Sequence, residues 1–119
     1  MTDLLKRWSR LEPSRCLIAP PTGLICAGVR TGDAWHNVLW HEPSDVQIAI
    51  LLAAVIEAIE ARGWDYRLAW RMAPTGEHFG VIKIDREDGW SKSWSCYAGS
   101  PAAALLGAYL AALEAEAEA

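Results

Sequence analysis

The chain has 119 residues, of which 52% are hydrophobic and 22% are charged, and its formal net charge is −4. This length is sufficient for one domain with a hydrophobic core, and we predict a single domain over residues 1–119. Because three of the acidic residues, Glu114, Glu116 and Glu118, stand at the C-terminal end, the rest of the chain is close to neutral, which disfavours a broad basic face for long nucleic acids.

The N-terminal third of the chain carries mixed signals. A short first helix is predicted before Pro13 from four apolar residues at helical spacing: Leu4, Leu5, Trp8 and Leu11. Between residues 14 and 32, two short strands over 17–18 and 24–29 and a packed loop stay open as alternatives, because glycines interrupt either form. Residues 35–41, with the sequence WHNVLWH, are predicted as a strand or as a loop that leads into the next helix.

The clearest signal is a helix over residues 45–62. Ser44 and Gln47 have the spacing of a capping box at its start, and Gly63 stands where a left-handed residue commonly ends a helix. A broad apolar stripe follows the helical period: Ile48, Leu51, Leu52, Val55, Ile56 and Ile59. The opposite side is also apolar at its start, so we predict burial on two sides, either within the domain or at a dimer or partner contact. The apolar run is shorter than the ~20 residues of a membrane span.

After this helix the period changes from 3.6 to 2, which predicts three strands. Residues 64–73 alternate between apolar and polar positions, residues 79–85 form a second strand, and residues 90–98 form a third. Short turn sequences separate the three strands, so they are predicted to form an antiparallel meander.

The loop between the second and third strands decides the register of this meander. A three-residue loop, 87–89, would place Ile82 level with Trp94, whereas a two-residue loop would place it level with Ser95. A shift of one residue moves every side chain to the other face of the sheet. We therefore predict the three-residue loop, with Gly89 in the left-handed conformation.

The last helix is predicted over residues 101–114, with Ser100 as its N-cap and Pro101 at its first position. The acidic residues of the tail, 114–119, lie at the unfavourable end of the helix dipole, so we predict that the tail frays. The predicted fold is α+β: a three-stranded antiparallel meander sheet with two main helices (45–62, 101–114) packed on it, plus a short N-terminal helix.

Three short stretches of the sequence resemble segments of a known family. They are WHEPSD at residues 40–45, IEARGW at 59–64 and YAGSPAAALL at 97–106, which are two helix starts and one helix end. On these stretches the chain resembles the phage ABA sandwich domain family of small phage and prophage proteins, over roughly residues 35–113. The resemblance implies a phage accessory protein and a fold, and it brings no catalytic residues and no cofactor.

No catalytic, cofactor or metal site is predicted. The candidate ligands lack the close spacing of zinc sites: Cys16, Cys26, Cys96, His36 and His41. No nucleophile elbow or Gly-rich phosphate loop is present either. The three cysteines have no disulfide-framework spacing, and the N-terminal residues lack the apolar run of a signal peptide. We therefore expect a non-enzymatic protein with reduced cysteines in the cytoplasm of the host cell.

Seven tryptophans beside one phenylalanine make protein binding the leading functional hypothesis. The candidate partner-binding residues precede the main helix or flank the hairpin: Trp35, His36, Trp40, His41 and Trp90. Residues in loops on a rigid scaffold are well placed for recognition. From the family resemblance we expect the partner to be a host protein, such as a defence component, that is inhibited or redirected. The competing interpretation places Trp35 and Trp40 in the core.

Two other functions stay open. The sheet face away from the core would carry a small set of residues suited to a nucleotide signal, which the protein would sequester: Arg67, Arg71, Phe79 and Lys83. In that set the aromatic ring would stack on a base and the cations would contact phosphates. The other alternative is a structural phage component that works as an oligomer, and a homodimer is compatible with each hypothesis.

Overall fold

The computed structural model of the chain describes residues 2–18, 26–39, 43–70, 77–85, 87 and 89–118. Three helices lie in these residues: α1 (Thr2–Leu11), α2 (Asp45–Ala61) and α3 (Pro101–Glu118). Six strands accompany them: β1 (Cys16–Ile18), β2 (Cys26–Thr31), β3 (Ala34–Leu39), β4 (Asp65–Trp70), β5 (His78–Asp85) and β6 (Ser91–Ala98). The α+β class and the N-terminal helix are confirmed.

The strands form two antiparallel sheets of three. The N-terminal sheet has the order β1-β2-β3, and the C-terminal sheet has the order β4-β5-β6, which is the predicted meander. The N-terminal sheet resolves the alternatives left open for residues 14–41, because short strands and not a packed loop are found in its described part. Gly28 does not interrupt β2, since the ring of Trp35 on β3 lies 3.5 Å from the place where a Cβ of residue 28 would stand.

The helices lie between the two sheets. α3 packs on all three strands of the C-terminal sheet, while α1 and α2 pack between α3 and the N-terminal sheet. The predicted packing of both main helices on the meander is confirmed, and α2, which contacts the meander along β4, packs on the N-terminal sheet as well. The physical reason is that the N-terminal sheet offers α2 an apolar face of its own, which includes Ala27, Val29 and Val38.

The predicted helix boundaries are confirmed at the caps. The Ser44 hydroxyl accepts the Gln47 amide at 3.2 Å, and the Gln47 side chain accepts the Ser44 amide at 3.0 Å, which completes the capping box. Gly63 has a φ of 72°, and the Ser100 hydroxyl accepts the Ala103 amide at 3.1 Å.

The last helix continues past its predicted end at residue 114 and runs to Glu118. An ion pair holds its last turns to the first helix, since Arg7 Nε lies 2.8 Å from Glu114 Oε1. The helix extends because this contact with α1 offsets the unfavourable position of acidic residues at a helix C-terminus. Fraying of residues 114–119 stays a prediction.

The register of the meander is the predicted one. Ile82 lies opposite Trp94, Val81 lies opposite Ser95, and Gly89 has a φ of 86°. The side chains of Ile82 and Ile84 are therefore directed to α3 and are buried.

Two glycines set how closely α3 approaches the C-terminal sheet. A Cβ at Gly80 on β5 would stand 2.7 Å from backbone atoms of Ala104 and Leu105 on α3. A Cβ at Gly107 on α3 would stand 2.5 Å from the sulfur of Cys96 on β6. The close packing of helix and sheet therefore depends on the missing side chain at each position, in the strand and in the helix.

Candidate functional site

The outer face of the C-terminal sheet is the side opposite α3. Three rows of neighbouring residues cross it from β4 to β6: Ala69–Phe79–Tyr97, Arg67–Val81–Ser95 and Asp65–Lys83–Ser93. Because side chains alternate along a strand, the residues between these rows are directed to the core. Burial follows this alternation, since Ile82 is fully buried while Lys83 is exposed.

An aromatic pair occupies one end of this outer face. The ring centroids of Phe79 and Tyr97 lie 4.6 Å apart, with 31° between the ring planes. Tyr97 is 46% exposed, although it belongs to a regular strand. A cross-strand pair of rings in contact stabilises a sheet. It also presents a continuous apolar surface to a binding partner.

Charges of both signs lie along the same face, in the rows that follow the aromatic pair. Arg67 and Lys83 supply the positive charge, and Asp65 and Asp85 supply the negative charge. The ammonium of Lys83 lies 3.5 Å from the Asp85 carboxylate, and Asp65 lies directly opposite Lys83 in the ladder. The surface therefore has no strong net charge in its described part.

An open depression of about 890 Å³ lies on this face. Its outward-facing lining residues are Asp65, Arg67, Ala69, Phe79, Val81, Lys83 and Ser93. The volume falls in the range of roughly 300–1,000 Å³ that is common for ligand sites.

The structure brings together three residues of the predicted nucleotide set. Arg67, Phe79 and Lys83 share the outer face, while Arg71 lies outside the described residues. Sequence reasoning missed Tyr97, the partner of Phe79. The signal was available, because the register that places Ile82 level with Trp94 also places Phe79 level with Tyr97.

The described residues of the predicted partner-binding set do not form one surface. Trp35 is 45% exposed on the outer face of the N-terminal sheet, whereas His36 is directed inward, with its Nε2 2.8 Å from the Thr31 hydroxyl. Trp90 is 75% exposed beside the hairpin of the other sheet. Trp40 and His41 lie outside the described residues. Alternation along β3 therefore separates two neighbours that the sequence suggested as a pair.

A polar cluster joins the three helices away from both outer faces. The Glu12 carboxylate accepts hydrogen bonds from the Tyr109 hydroxyl at 2.6 Å, from Trp8 Nε1 at 3.0 Å and from Arg62 Nη2 at 2.9 Å. The Arg62 guanidinium also lies 5.2 Å from the centre of the Trp64 ring. The Glu12 carboxylate therefore accepts hydrogen bonds from three donors, which lie on α1, at the end of α2 and on α3. Because these bonds connect the three helices, we interpret the role of the cluster as structural.

Ionisation of Glu12 contributes to this role. Burial alone would raise the pKa of Glu12, but the hydrogen bonds from Tyr109, Trp8 and Arg62 outweigh it and lower the pKa below its ordinary value. Burial and the adjacent Glu12 carboxylate raise the pKa of Tyr109, so its hydroxyl stays a donor.

We expect Glu12 to make the stability of the protein depend on pH. Its lowered pKa in the folded state adds stability above the unfolded value near 4.5, and this stability is lost as the pH falls through the folded value. The free energy of unfolding of the wild type should therefore decrease more steeply than that of Glu12→Gln as the pH falls below about 4.5. Urea unfolding followed by tryptophan fluorescence at several pH values measures both slopes. Equal slopes would contradict the assignment.

The described cysteine thiols are poor nucleophiles. Burial raises the pKa of Cys16 to about 12, and burial also raises the pKa of Cys96. Cys16 Sγ lies 3.6 Å from the Leu5 carbonyl oxygen, which anchors β1 to α1. Among the residues that the structure describes, no group of three or more His, Cys, Asp or Glu side chains is placed to hold a metal ion. No described helix combines the length and the apolar character needed to cross a membrane.

Comparison of the chain with protein-family models gives no match, and a search of curated proteins gives no significant match.

Proposed function

We propose that this protein acts by binding another protein, without catalysis, and that the outer face of the C-terminal sheet is its binding surface. The observation that supports this proposal is the exposed pair of Phe79 and Tyr97 on a sheet whose other face is packed on α3. Aromatic residues supply much of the binding energy in protein interfaces. A sheet packed on a buried helix would hold them rigid, which lowers the entropic cost of binding.

The charges on the same face as the aromatic pair favour a protein partner over a nucleic acid. Two acidic and two basic side chains follow the rings along the same face, and polar groups of both signs beside an apolar patch are typical of a protein interface. A surface for a phosphate backbone would need a cluster of cations instead.

The resemblance to the phage ABA sandwich domain family supports a more specific proposal. The protein would be a phage or prophage accessory protein that acts in the cytoplasm of the host cell. Its partner would be a host protein, such as a defence component, which binding inhibits or redirects.

Affinity purification from a host lysate, followed by binding measurements with the purified partner, tests this proposal. The double variant Phe79→Thr/Tyr97→Thr removes the aromatic pair and replaces it with β-branched residues, which are favoured in strands. We expect it to lose the partner, with affinity reduced by at least about tenfold, which is the effect of losing one strong interface residue. Trp35→Thr on the other sheet is the matched variant and should retain the partner.

Two results would contradict the proposed surface. One is full retention of the partner by the double variant with an unchanged melting temperature. The other is selective loss of the partner in Trp35→Thr, which would move the interface to the N-terminal sheet.

A small nucleotide is the second candidate for the same surface, because Arg67 and Lys83 share the depression with an aromatic residue. A nucleotide ligand should raise the melting temperature by mass action, and Arg67→Gln/Lys83→Gln should abolish the increase. A protein-binding surface predicts no such increase. The third candidate, an oligomeric structural component, predicts that the purified protein elutes far above 13.1 kDa.

A further inference from the structure

The outer face of the N-terminal sheet carries two arginines in neighbouring positions. The Arg30 amide donates a hydrogen bond to the Arg15 carbonyl at 3.0 Å, which continues the β1–β2 ladder by one position beyond the pair Cys16–Val29. Arg15 therefore lies opposite Arg30. On the other side of Arg30, Trp35 of β3 lies directly opposite in the ladder of β2 and β3. The row Arg15–Arg30–Trp35 crosses the sheet beside its β2–β3 turn.

Both arginines keep a buried donor without an acceptor. Arg15 Nη1 and Arg30 Nε are shielded from solvent, and neither has a hydrogen-bond partner within the described part of the chain. In contrast, Arg7 is paired with Glu114 and Arg62 is paired with Glu12. A buried donor without a partner destabilises the folded state, and like charges at opposite positions of a ladder do the same. An anion bound to the other nitrogens of the two guanidinium groups would offset the repulsion between them.

The chemistry of the row favours a phosphate group over a carboxylate. Guanidinium groups bind oxyanions through planar, paired N–H donors. Two guanidinium groups together carry a charge of +2. This charge matches a phosphomonoester, which has a charge of about −1.5 to −2 at pH 7, better than it matches a single carboxylate.

Trp35 adds a surface for the group that the phosphate is attached to. Its ring packs over Gly28, at 3.5 Å from the place where a Cβ would stand, and it remains 45% exposed. Leu17, which faces Gly28 from β1, is 49% exposed and extends the apolar surface. A planar or apolar substituent next to the phosphate would therefore contact Trp35.

We propose that Arg15, Arg30 and Trp35 form a binding site for a small phosphomonoester with a planar or apolar substituent. The two guanidinium groups hold the phosphate and Trp35 contacts the substituent. This site is on a different sheet from the proposed protein-binding surface, so the two proposals can fail separately.

Calorimetric titration with phenyl phosphate, inorganic phosphate and phenylacetate tests the site in low-salt buffer. Phenyl phosphate should bind most tightly, inorganic phosphate should bind more weakly because it lacks contact with Trp35, and phenylacetate should bind weakly or not at all. Arg15→Gln and Arg30→Gln should each reduce the affinity for phenyl phosphate at least about tenfold, as expected for loss of a charge-assisted hydrogen bond. Lys92→Gln, which removes an exposed cation of β6 outside both proposed sites, is the control and should bind as the wild type does.

Two further readouts do not depend on the variants binding ligand. The Nε–Hε resonance of Arg30 in the wild type should shift when phenyl phosphate is added, because the phosphate binds the same guanidinium group and changes its electronic environment. Without ligand, Arg30→Gln should melt at the same temperature as the wild type or higher, since the substitution removes a buried donor without an acceptor and the repulsion with Arg15.

The proposal is overturned if phenyl phosphate leaves the Arg30 resonance unchanged at millimolar concentration. Binding that Lys92→Gln weakens as much as Arg30→Gln would also overturn it. Phenylacetate that binds as tightly as phenyl phosphate would refute the phosphate assignment. If Arg30→Gln does not fold, the wild-type resonance and Arg15→Gln decide the question.

Discussion

Gly80→Ala is expected to destabilise the protein by about 3 kcal/mol, at the upper end of the range for an overpacked core. The added methyl group would stand 2.7 Å from the backbone of Ala104 and Leu105. Backbone atoms of a helix cannot move aside without shifting α3, and α3 is buried along most of its length. For a domain of this size the expected decrease in melting temperature is roughly 10 °C.

Urea unfolding monitored by tryptophan fluorescence measures this effect. Gly99→Ala is the matched control, because a Cβ at Gly99 meets no atom within 4 Å. We expect the control to remain within about 0.5 kcal/mol of the wild type. A Gly80→Ala variant as stable as this control would contradict the close approach of β5 and α3.

Gly107→Ala is expected to destabilise the protein by about 2 kcal/mol, although the same change in an exposed helix stabilises by about 1 kcal/mol. The sign is reversed because a Cβ at residue 107 would stand 2.5 Å from the sulfur of Cys96. The helical preference of alanine is therefore outweighed by a steric contact between α3 and β6.

A second substitution separates these two contributions. Cys96→Ala removes the sulfur and leaves only its own Cβ, at 3.1 Å from the added methyl group. In the Cys96→Ala background, Gly107→Ala should therefore be neutral or stabilising. The double-mutant cycle should show a coupling free energy of about 2 kcal/mol, whereas additive effects would contradict the contact.

Local signals explain why part of the fold could be predicted. The capping box of Ser44 and Gln47 and the left-handed Gly63 depend on neighbouring residues, and both are found. The register of β5 and β6 followed from alternation and from the length of one loop, because a slip would have exposed Ile82.

The N-terminal sheet could not be assigned in the same way. β1 has only three residues, and β2 contains Gly28, so neither has a strong preference of its own. They are strands because α1 and α2 cover their inner face, and because Trp35 fills the space above Gly28. Such contacts join separate helices and strands, and the propensity of a single segment carries no information about them.

The candidate sites show the same division. Phe79 could be placed on an outer face by alternation, and its contact with Tyr97 required only the register. Trp35 and His36 look like one recognition element in the sequence, yet the two sides of β3 separate them. The neighbouring positions of Arg15 and Arg30 depend on a backbone hydrogen bond between β2 and the turn before β1.

The sequence by itself determined the α+β class, the ends of α2 and the alternation of the meander, because capping and periodicity act over a few residues. Only the tertiary structure decided that a second sheet exists, that α2 packs chiefly on it, and that both sheets leave an outer face uncovered by the described helices. These features depend on which apolar faces are buried together, and that choice minimises the free energy of the whole chain and not of any one segment.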